Sequence, residues 1–216
     1  MSKVSIPRKT VYRLSLYYRA LQRLKSNGME MVSSAALSKA AGVKPTQLRK
    51  DLAYFGHFGT RGLGYSVVAL TEKLVEVMGT AQLQPVILIG VGQLGSALLG
   101  YSGFAREGFE VVGAFDLNPP RKRPQKLRVE VMPMERMESF VRERKIKIAV
   151  LTVPGPVAQE VANHLVESGI QAILNFAPAV LQVPEQVVVN HVDLAAELEN
   201  LSYFIHSLSP DAWLNS

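Results

Sequence analysis

At 216 residues, with 48% hydrophobic and 19% charged side chains, the chain has apolar content for a normal core in one small and one larger domain, which excludes a disordered polymer. No apolar run reaches the roughly 18 residues of a membrane span, Arg13, Arg19 and Arg23 fall where an export signal needs an uninterrupted apolar stretch, and the lack of cysteine removes disulfides, thiolate metal sites and thiol redox chemistry. The net charge of +6 conceals a division: residues 1–80 carry 13 Lys and Arg against 4 Asp and Glu, a net +9, while residues 81–216 carry a net −3.

The cationic part suits a polyanion, because phosphate neutralisation with counterion release supplies most non-specific DNA affinity; a solvated basic surface fits the count equally well. Local pattern separates the two. From Pro7 to Asn27, the spacing of Val11, Leu14, Tyr18, Leu21 and Leu24 predicts an amphipathic helix ended by Asn27-Gly28. Ser33 or Ser34 then caps a short helix with Leu37, Ala40 and Ala41, Gly42-Val43 makes a tight turn, and Pro45 opens a third helix. In that helix Leu48, Leu52 and Phe55 share one face, while Thr46, Arg49, Lys50 and Ala53 share the other. A small, polar, cationic face fits a recognition helix in the major groove, where Arg or Lys pairs with guanine edges and a threonine methyl meets thymine.

Next, residues 56–65 alternate glycines with aromatic and basic side chains (Gly56, His57, Phe58, Gly59, Thr60, Arg61, Gly62, Leu63, Gly64, Tyr65), the composition of a hairpin wing that approaches a sugar-phosphate rail closely. Arg61 is its natural phosphate or minor-groove contact, and His57 reads as a surface contact rather than a base. A helix containing Leu70, Leu74, Val77 and Met78 follows, then a connector at residues 79–85, with the domain boundary near Ala81.

Beyond it, apolar strands are expected at Val86 to Ile89, Val111 to Phe115, Ile148 to Leu151, Ala172 to Leu174 and Val187 to Val189, separated mostly by helical stretches: an α/β alternation that makes a parallel sheet. Gly90-Val91-Gly92-Gln93-Leu94-Gly95 follows the first strand and opens a helix. In that context Gly90 permits the tight turn, Gly92 lets backbone amides reach a pyrophosphate, and Gly95 allows close helix-to-strand packing. Asp116 ends the next strand, 21 residues beyond Gly95, where its carboxylate either accepts hydrogen bonds from adenosine ribose hydroxyls and repels a 2′-phosphate, or simply caps a turn at the strand end. The cluster Arg121-Lys122-Arg123 reads as a solvated loop. Thr152 and Pro154, and Asn175 and Phe176, fall at strand ends, where they either line the nicotinamide half of a pocket or form ordinary strand-to-helix turns. From Asp193 to Ser207, Leu194, Leu198, Leu201, Phe204 and Ile205, with Leu208 beyond, fall at helical spacing and require a partner surface.

The order and detail of these blocks resemble the Rex family of bacterial redox-sensing transcriptional repressors over nearly the whole chain: Gln47-Leu48-Arg49-Lys50-Asp51-Leu52-Ala53-Tyr54-Phe55-Gly56, Arg61-Gly62-Leu63-Gly64-Tyr65, Gly90 to Gly95, and Asn175-Phe176-Ala177-Pro178. The resemblance implies a cytoplasmic homodimer with a winged helix at residues 1–80, a Rossmann domain at 81–192 and a C-terminal dimerisation helix and tail at 193–216, swapped between protomers. It implies double-stranded operator DNA and NAD(H) as ligands, with release from DNA when NADH binds. The expected DNA contacts are Thr46, Gln47, Arg49, Lys50, Arg61, Gly62 and Tyr65. The expected dinucleotide contacts are Gly90, Val91, Gly92, Gln93, Leu94, Gly95, Asp116, Thr152, Pro154, Asn175 and Phe176. Arg19, Tyr101 on the helix after the glycine turn, and Asp193 match positions that exchange partners between ligand states; Leu194 departs from relatives with an aromatic there. No catalytic or metal site is expected. Two competing readings are an NAD-dependent oxidoreductase, for which His164, His191 and His206 form no evident acid-base constellation, and an NADH-sensing module without DNA contact.

Overall fold

The computed structural model describes residues 6–60, 63–119 and 129–207, and the chain divides into two compact units, Met1–Gln82 and Leu83–Ser216. In the first unit, α1 (Arg8–Ser26) follows Pro7 and ends at Asn27 with Gly28 at φ 75°. Its buried stripe is Thr10, Leu14, Tyr17, Ala20 and Leu21, and Val11 is 46% exposed, so the inward face is rotated from the expected one. The reason is polar: the Tyr17 hydroxyl finds a buried acceptor in Asp51 at 2.6 Å, which lets the phenol enter the core.

After β1 (Met31–Val32), Ser33 rather than Ser34 caps α2 (Ser34–Ala40), accepting from the Ala36 amide at 3.1 Å. Gly42, at φ 68°, makes the left-handed turn to α3 (Pro45–Ala53), which has proline in its first turn as expected. Then β2 (Gly59–Thr60) and β3 (Gly64–Ser66) form the hairpin, in a sheet ordered β1-β3-β2 and antiparallel throughout. Arg61 and Gly62 lie outside the described residues. Ser66 caps α4 (Val67–Met78), and left-handed Gly79 ends it. Leu14, Leu21, Leu37, Leu48, Leu52, Leu70 and Leu74 pack as one core, which makes this unit a four-helix cluster with a β wing.

In the second unit, β4 (Gln84–Ile89) leads into α5 (Gln93–Leu99) and α6 (Gly103–Arg106), then β5 (Phe109–Asp116) and β6 (Val131–Pro133). A 3-10 turn at Met134–Arg136 precedes α7 (Met137–Arg144), β7 (Ile148–Leu151), α8 (Gly155–Ser168), β8 (Ala172–Asn175), β9 (Val188–His191) and α9 (Leu194–Ser207). The six strands are parallel in the order β6-β5-β4-β7-β8-β9, a doubly wound sheet whose direction of winding reverses between β4 and β7.

β4 starts two residues earlier than expected, and Pro85 is tolerated because only β5 flanks it there; pairing with β7 begins at Val86. β6 is a strand the sequence reading missed. Along β4, Val86 and Leu88 join one apolar cluster with Ala114 and Val150, while Ile87 and Ile89 join the other with Phe115, Ala149 and Leu151. Helices covering both faces explain why the strand is a continuous apolar run. Among the described residues no helix is long and apolar enough to cross a membrane, and no group of three or more His, Cys, Asp or Glu is placed to hold a metal ion.

Candidate nucleotide pocket and nucleic-acid interface

The glycine turn sits at the carboxyl end of β4, beside the winding reversal where ligands of open α/β sheets bind. Gly90 is at φ 93°, and a Cβ there would lie 2.8 Å from the Thr152 carbonyl oxygen, so both conformation and space require glycine. A Cβ on Gly95, buried at the start of α5, would strike the Gly90 carbonyl. Gly92 differs: a Cβ there meets nothing within 4 Å, so no protein atom demands its smallness.

Thr152, at the end of β7, ties the turn down. Its amide donates to Ile89 O at 2.9 Å, and its hydroxyl lies 2.6 Å from Gly90 O and 3.0 Å from Ile89 O, one proton shared between two acceptors. Asp116 braces the same loop: Oδ2 accepts from the Val91 amide at 2.6 Å and Oδ1 from the Asn118 amide at 2.8 Å. Each carboxylate oxygen retains a further lone pair for a ligand hydroxyl.

These groups border a cavity of about 650 Å³ walled by Gly90, Gly92, Asp116, Thr152 and Pro154. Ile89 and Val153 complete that side, while Leu117, Asn118, Met134, Val157, Glu160, Val161 and His164 escaped the sequence reading as wall residues. The helical spacing of Val157, Glu160, Val161 and His164 after Pro154 was the available signal. The volume and chemistry fit the adenosine half of a dinucleotide: apolar side chains for a base, a carboxylate for ribose hydroxyls, and an open glycine for a phosphate.

Not every expected residue reaches the cavity. Gln93 and Leu94 lie exposed in the first turn of α5 and are not among its walls. Asn175, 1% exposed, spends its side chain on the following turn: Nδ2 donates to Ala179 O at 2.9 Å and lies 3.0 Å from His191 Nδ1, and Oδ1 accepts from the Ala177 amide at 3.0 Å. Phe176 packs in the core beside Leu174 and Val150. Asn175 ends β8 and Phe176 follows it, and neither is among the walls of this cavity. Tyr101 follows α5 instead of lying on it, because the helix stops at Leu99; the ring is 57% exposed and packs edge-to-face on Phe104 at 5.2 Å. Asp193 caps α9, its Oδ1 accepting from the Ala195 and Ala196 amides at 3.0 Å each, and Arg19 is exposed on α1. The apolar side chains of α9, including Leu194, Leu198, Leu201, Phe204 and Ile205, are exposed, and Leu208 lies outside the described residues. The cluster Arg121-Lys122-Arg123 also lies outside them.

In the first unit α3 presents the expected face. Leu48 and Leu52 are buried, while Thr46, Arg49, Lys50 and Ala53 are exposed. Arg49 is aimed by a 3.3 Å hydrogen bond from Nη1 to the Ser34 hydroxyl, which joins α2 to α3. A pocket of about 220 Å³ lies between α3 and the wing, walled by Arg49, Ala53, His57, Gly59 and Tyr65 among others. Tyr65, expected as a DNA contact, is 8% exposed and joins the core, and burial pushes its phenol pKa up against the opposing charge of Arg49. Gln47 turns inward, its Nε2 donating to Asp51 at 2.8 Å.

Sequence reasoning missed Asp51 itself. Its fully buried carboxylate accepts from the Arg13 guanidinium at 2.6 and 2.7 Å, the Tyr17 hydroxyl at 2.6 Å, the Thr10 hydroxyl at 3.1 Å and Gln47. Burial alone would raise its pKa; the hydrogen bonds from Arg13, Tyr17, Gln47 and Thr10 outweigh it and hold the carboxyl at about 2.

Known proteins place both units in one family. The family model "Putative DNA-binding protein N-terminus" matches residues 5–53, and "CoA binding domain" matches residues 81–179. The redox-sensing transcriptional repressor Rex of Desulfitobacterium hafniense is 44% identical over 203 residues, covering 94% of this chain and 97% of that protein. The same repressor of Carboxydothermus hydrogenoformans is 45% identical over 206 residues, covering 95% and 99%. This chain belongs to the Rex family of redox-sensing transcriptional repressors. A crystal structure of RSP in complex with β-NAD+ and operator DNA superposes with a TM-score of 0.88 at 38% identity, covering 98% of this chain and 97% of that one. RSP in complex with β-NADH gives a TM-score of 0.84 at 37% identity, covering 98% and 100%. The family's architecture, a helical N-terminal domain before a Rossmann-like sheet and a C-terminal helix, is the one the sequence predicted.

Proposed function

We propose that this chain is a homodimeric repressor that holds operator DNA when NADH is scarce and leaves it when NADH occupies the second unit. The observation that carries the reading is the pairing, in one chain, of an exposed cationic α3 face with a glycine-turn cavity bordered by Asp116. Relatives with this architecture are repressors, and RSP has been solved with operator DNA and with both oxidation states of the nucleotide.

In this reading Thr46, Arg49 and Lys50 meet base edges and phosphates in the major groove, and Arg61 and Gly62, which follow β2 in the sequence, contact the sugar-phosphate rail. NAD(H) supplies the redox signal as a bound effector. Asp116 accepts ribose hydroxyls while it braces Val91, the amides from Gly92 to Gly95 face the pyrophosphate, and Pro154 and Thr152 bound the path toward the nicotinamide. Asn175 and Phe176 support that wall from behind. The exposed apolar side of α9 serves as the dimer contact, exchanged between protomers, and Arg19, Tyr101 and Asp193 change partners between ligand states. Such a repressor works in the cytoplasm, where its DNA and nucleotide are.

The test is a fluorescence-anisotropy titration of operator duplex at fixed salt, with NADH and NAD+ in parallel. Release by NADH at concentrations where NAD+ leaves the complex intact supports the reading; equal response to both, or to neither, overturns it.

A further inference from the structure

The cationic face of α3 is held from behind by an ionic clamp. Asp51 lies one residue beyond Lys50 and two beyond Arg49, on the opposite side of the helix, with no solvent exposure. Its Oδ1 accepts from Arg13 Nη2 at 2.7 Å, Gln47 Nε2 at 2.8 Å and the Thr10 hydroxyl at 3.1 Å. Its Oδ2 accepts from Arg13 Nε and the Tyr17 hydroxyl, both at 2.6 Å. Thr10, Arg13 and Tyr17 are one stripe of α1, so a single carboxylate locks α3 against about two turns of another helix.

Leucine packing at Leu48 and Leu52 is non-directional and tolerates small rotations and slides of a helix. A bidentate guanidinium-carboxylate pair with two further directional bonds from the same helix, Thr10 and Tyr17, does not. The two kinds of DNA contact differ in the same way: phosphate contacts position a protein and survive small displacements, whereas base-edge hydrogen bonds carry the sequence information and need correct register.

We propose that Asp51 is a positioning residue for sequence recognition, fixing the roll and register of α3 so that Arg49 and Lys50 meet base edges, with Gln47 serving as part of the clamp instead of as a reader. The proposal rests on the reading of α3 as the recognition helix and assigns discrimination, rather than bulk DNA affinity, to a residue that touches no DNA.

The experiment uses the full chain without NADH, the duplex that the wild-type chain selects from a random-sequence library, and a scrambled duplex of equal length, each titrated across a salt series. Asp51→Asn keeps the shape and removes the charge. The expected result is a loss of about tenfold or more in preference for the selected over the scrambled duplex, the worth of one good base contact. Affinity for the scrambled duplex, the salt slope and NADH binding remain close to wild type. A purely structural role would lower the melting temperature and leave the preference unmoved well below it, so undiminished preference in folded Asp51→Asn overturns the proposal. Tyr17→Phe, which keeps the ring and deletes one donor, gives a readout should the asparagine variant not fold: a severalfold loss of preference is expected, and an unchanged one overturns the clamp. A wild-type chain that selects no duplex removes the repressor reading and the clamp with it; selection by wild type with full preference in both variants removes the clamp alone.

Discussion

Gly92 and Gly95 stand three residues apart in one motif and answer to different constraints. An alanine methyl at Gly95 strikes the Gly90 carbonyl, so Gly95→Ala displaces α5 from β4. We expect it to cost about 1–3 kcal/mol in thermal or urea unfolding, the usual penalty of overpacking, and to abolish NADH binding with it. At Gly92 the methyl enters open space at φ −72°, which any residue adopts. Gly92→Ala therefore should unfold within about 0.5 kcal/mol of wild type and still bind NADH about tenfold or more weakly by fluorescence titration, because the methyl stands where a pyrophosphate would approach. Normal NADH affinity in Gly92→Ala would place the phosphates elsewhere. Gly90 and Gly95 were legible in the sequence because a left-handed turn and a close helix-to-strand approach restrict the residue types that fit there. Asp51 was not: within a cationic helix a carboxylate reads as solvated, and its α1 partners lie 34 to 41 residues upstream, beyond any local pattern.

At the level of elements, the Asp51 cluster makes the packing of α1 against α3 depend on pH. The carboxyl titrates at about 2 in the folded chain against 3.8 for a free side chain, so the native state binds this proton more weakly than the unfolded state. Stabilisation is therefore complete above pH 4 and is lost as the pH falls through about 2, an effect of about 2 kcal/mol by linkage. The check is urea unfolding of wild type and Asp51→Asn: the stability gap between them should narrow by about that amount between pH 5 and pH 2, with hydrogen exchange locating the change in α1 and α3. A constant gap would mean that the carboxylate is not charged and paired as the geometry indicates. Elements with strong periodicity or caps, such as α3 and α4, were readable beforehand. The face of α1 was not, since Val11 and Tyr18 satisfy helical spacing as well as Thr10 and Tyr17 do, and only the buried Asp51 decides between them. β6 escaped because three residues are too short to show a period.

α9 raises the same question at its largest extent. Leu198, Leu201, Phe204 and Ile205 are all more than half exposed, an apolar face that a two-fold partner would cover in the proposed dimer. Replacing Leu198 and Leu201 together by glutamate should convert a dimer to a monomer in sedimentation, and should weaken operator binding at least tenfold, because one protomer reads only one half-site. A variant that stays dimeric would assign the contact to another surface. The sequence exposed this helix plainly, since its apolar stripe had no partner in the local pattern; what covers it is a property of two chains, which one sequence does not encode position by position.

For the whole molecule, the decisive quantity is the coupling between nucleotide and DNA. NADH displaces the chain from DNA only through a difference in its affinity for the DNA-competent and DNA-incompetent conformations, and linkage makes that difference reciprocal. If two NADH lower the operator affinity of the dimer by some factor, saturating operator must lower NADH affinity at the two pockets by factors whose product is the same, typically about 5- to 150-fold for each. Both sides are measurable in one buffer: operator anisotropy at zero and saturating NADH, and NADH fluorescence at zero and saturating operator. NAD+ should give a factor near one on both sides. A finite factor that saturates with NADH and balances on the two sides ties the cavity at Gly92 and Asp116 to the face at Arg49 and Lys50 through a conformational equilibrium. An operator affinity that keeps falling without limit as NADH is raised would point to direct competition, a mismatch between the two sides to a second nucleotide site, and a factor of one on both sides would leave two functional units in one chain that do not communicate.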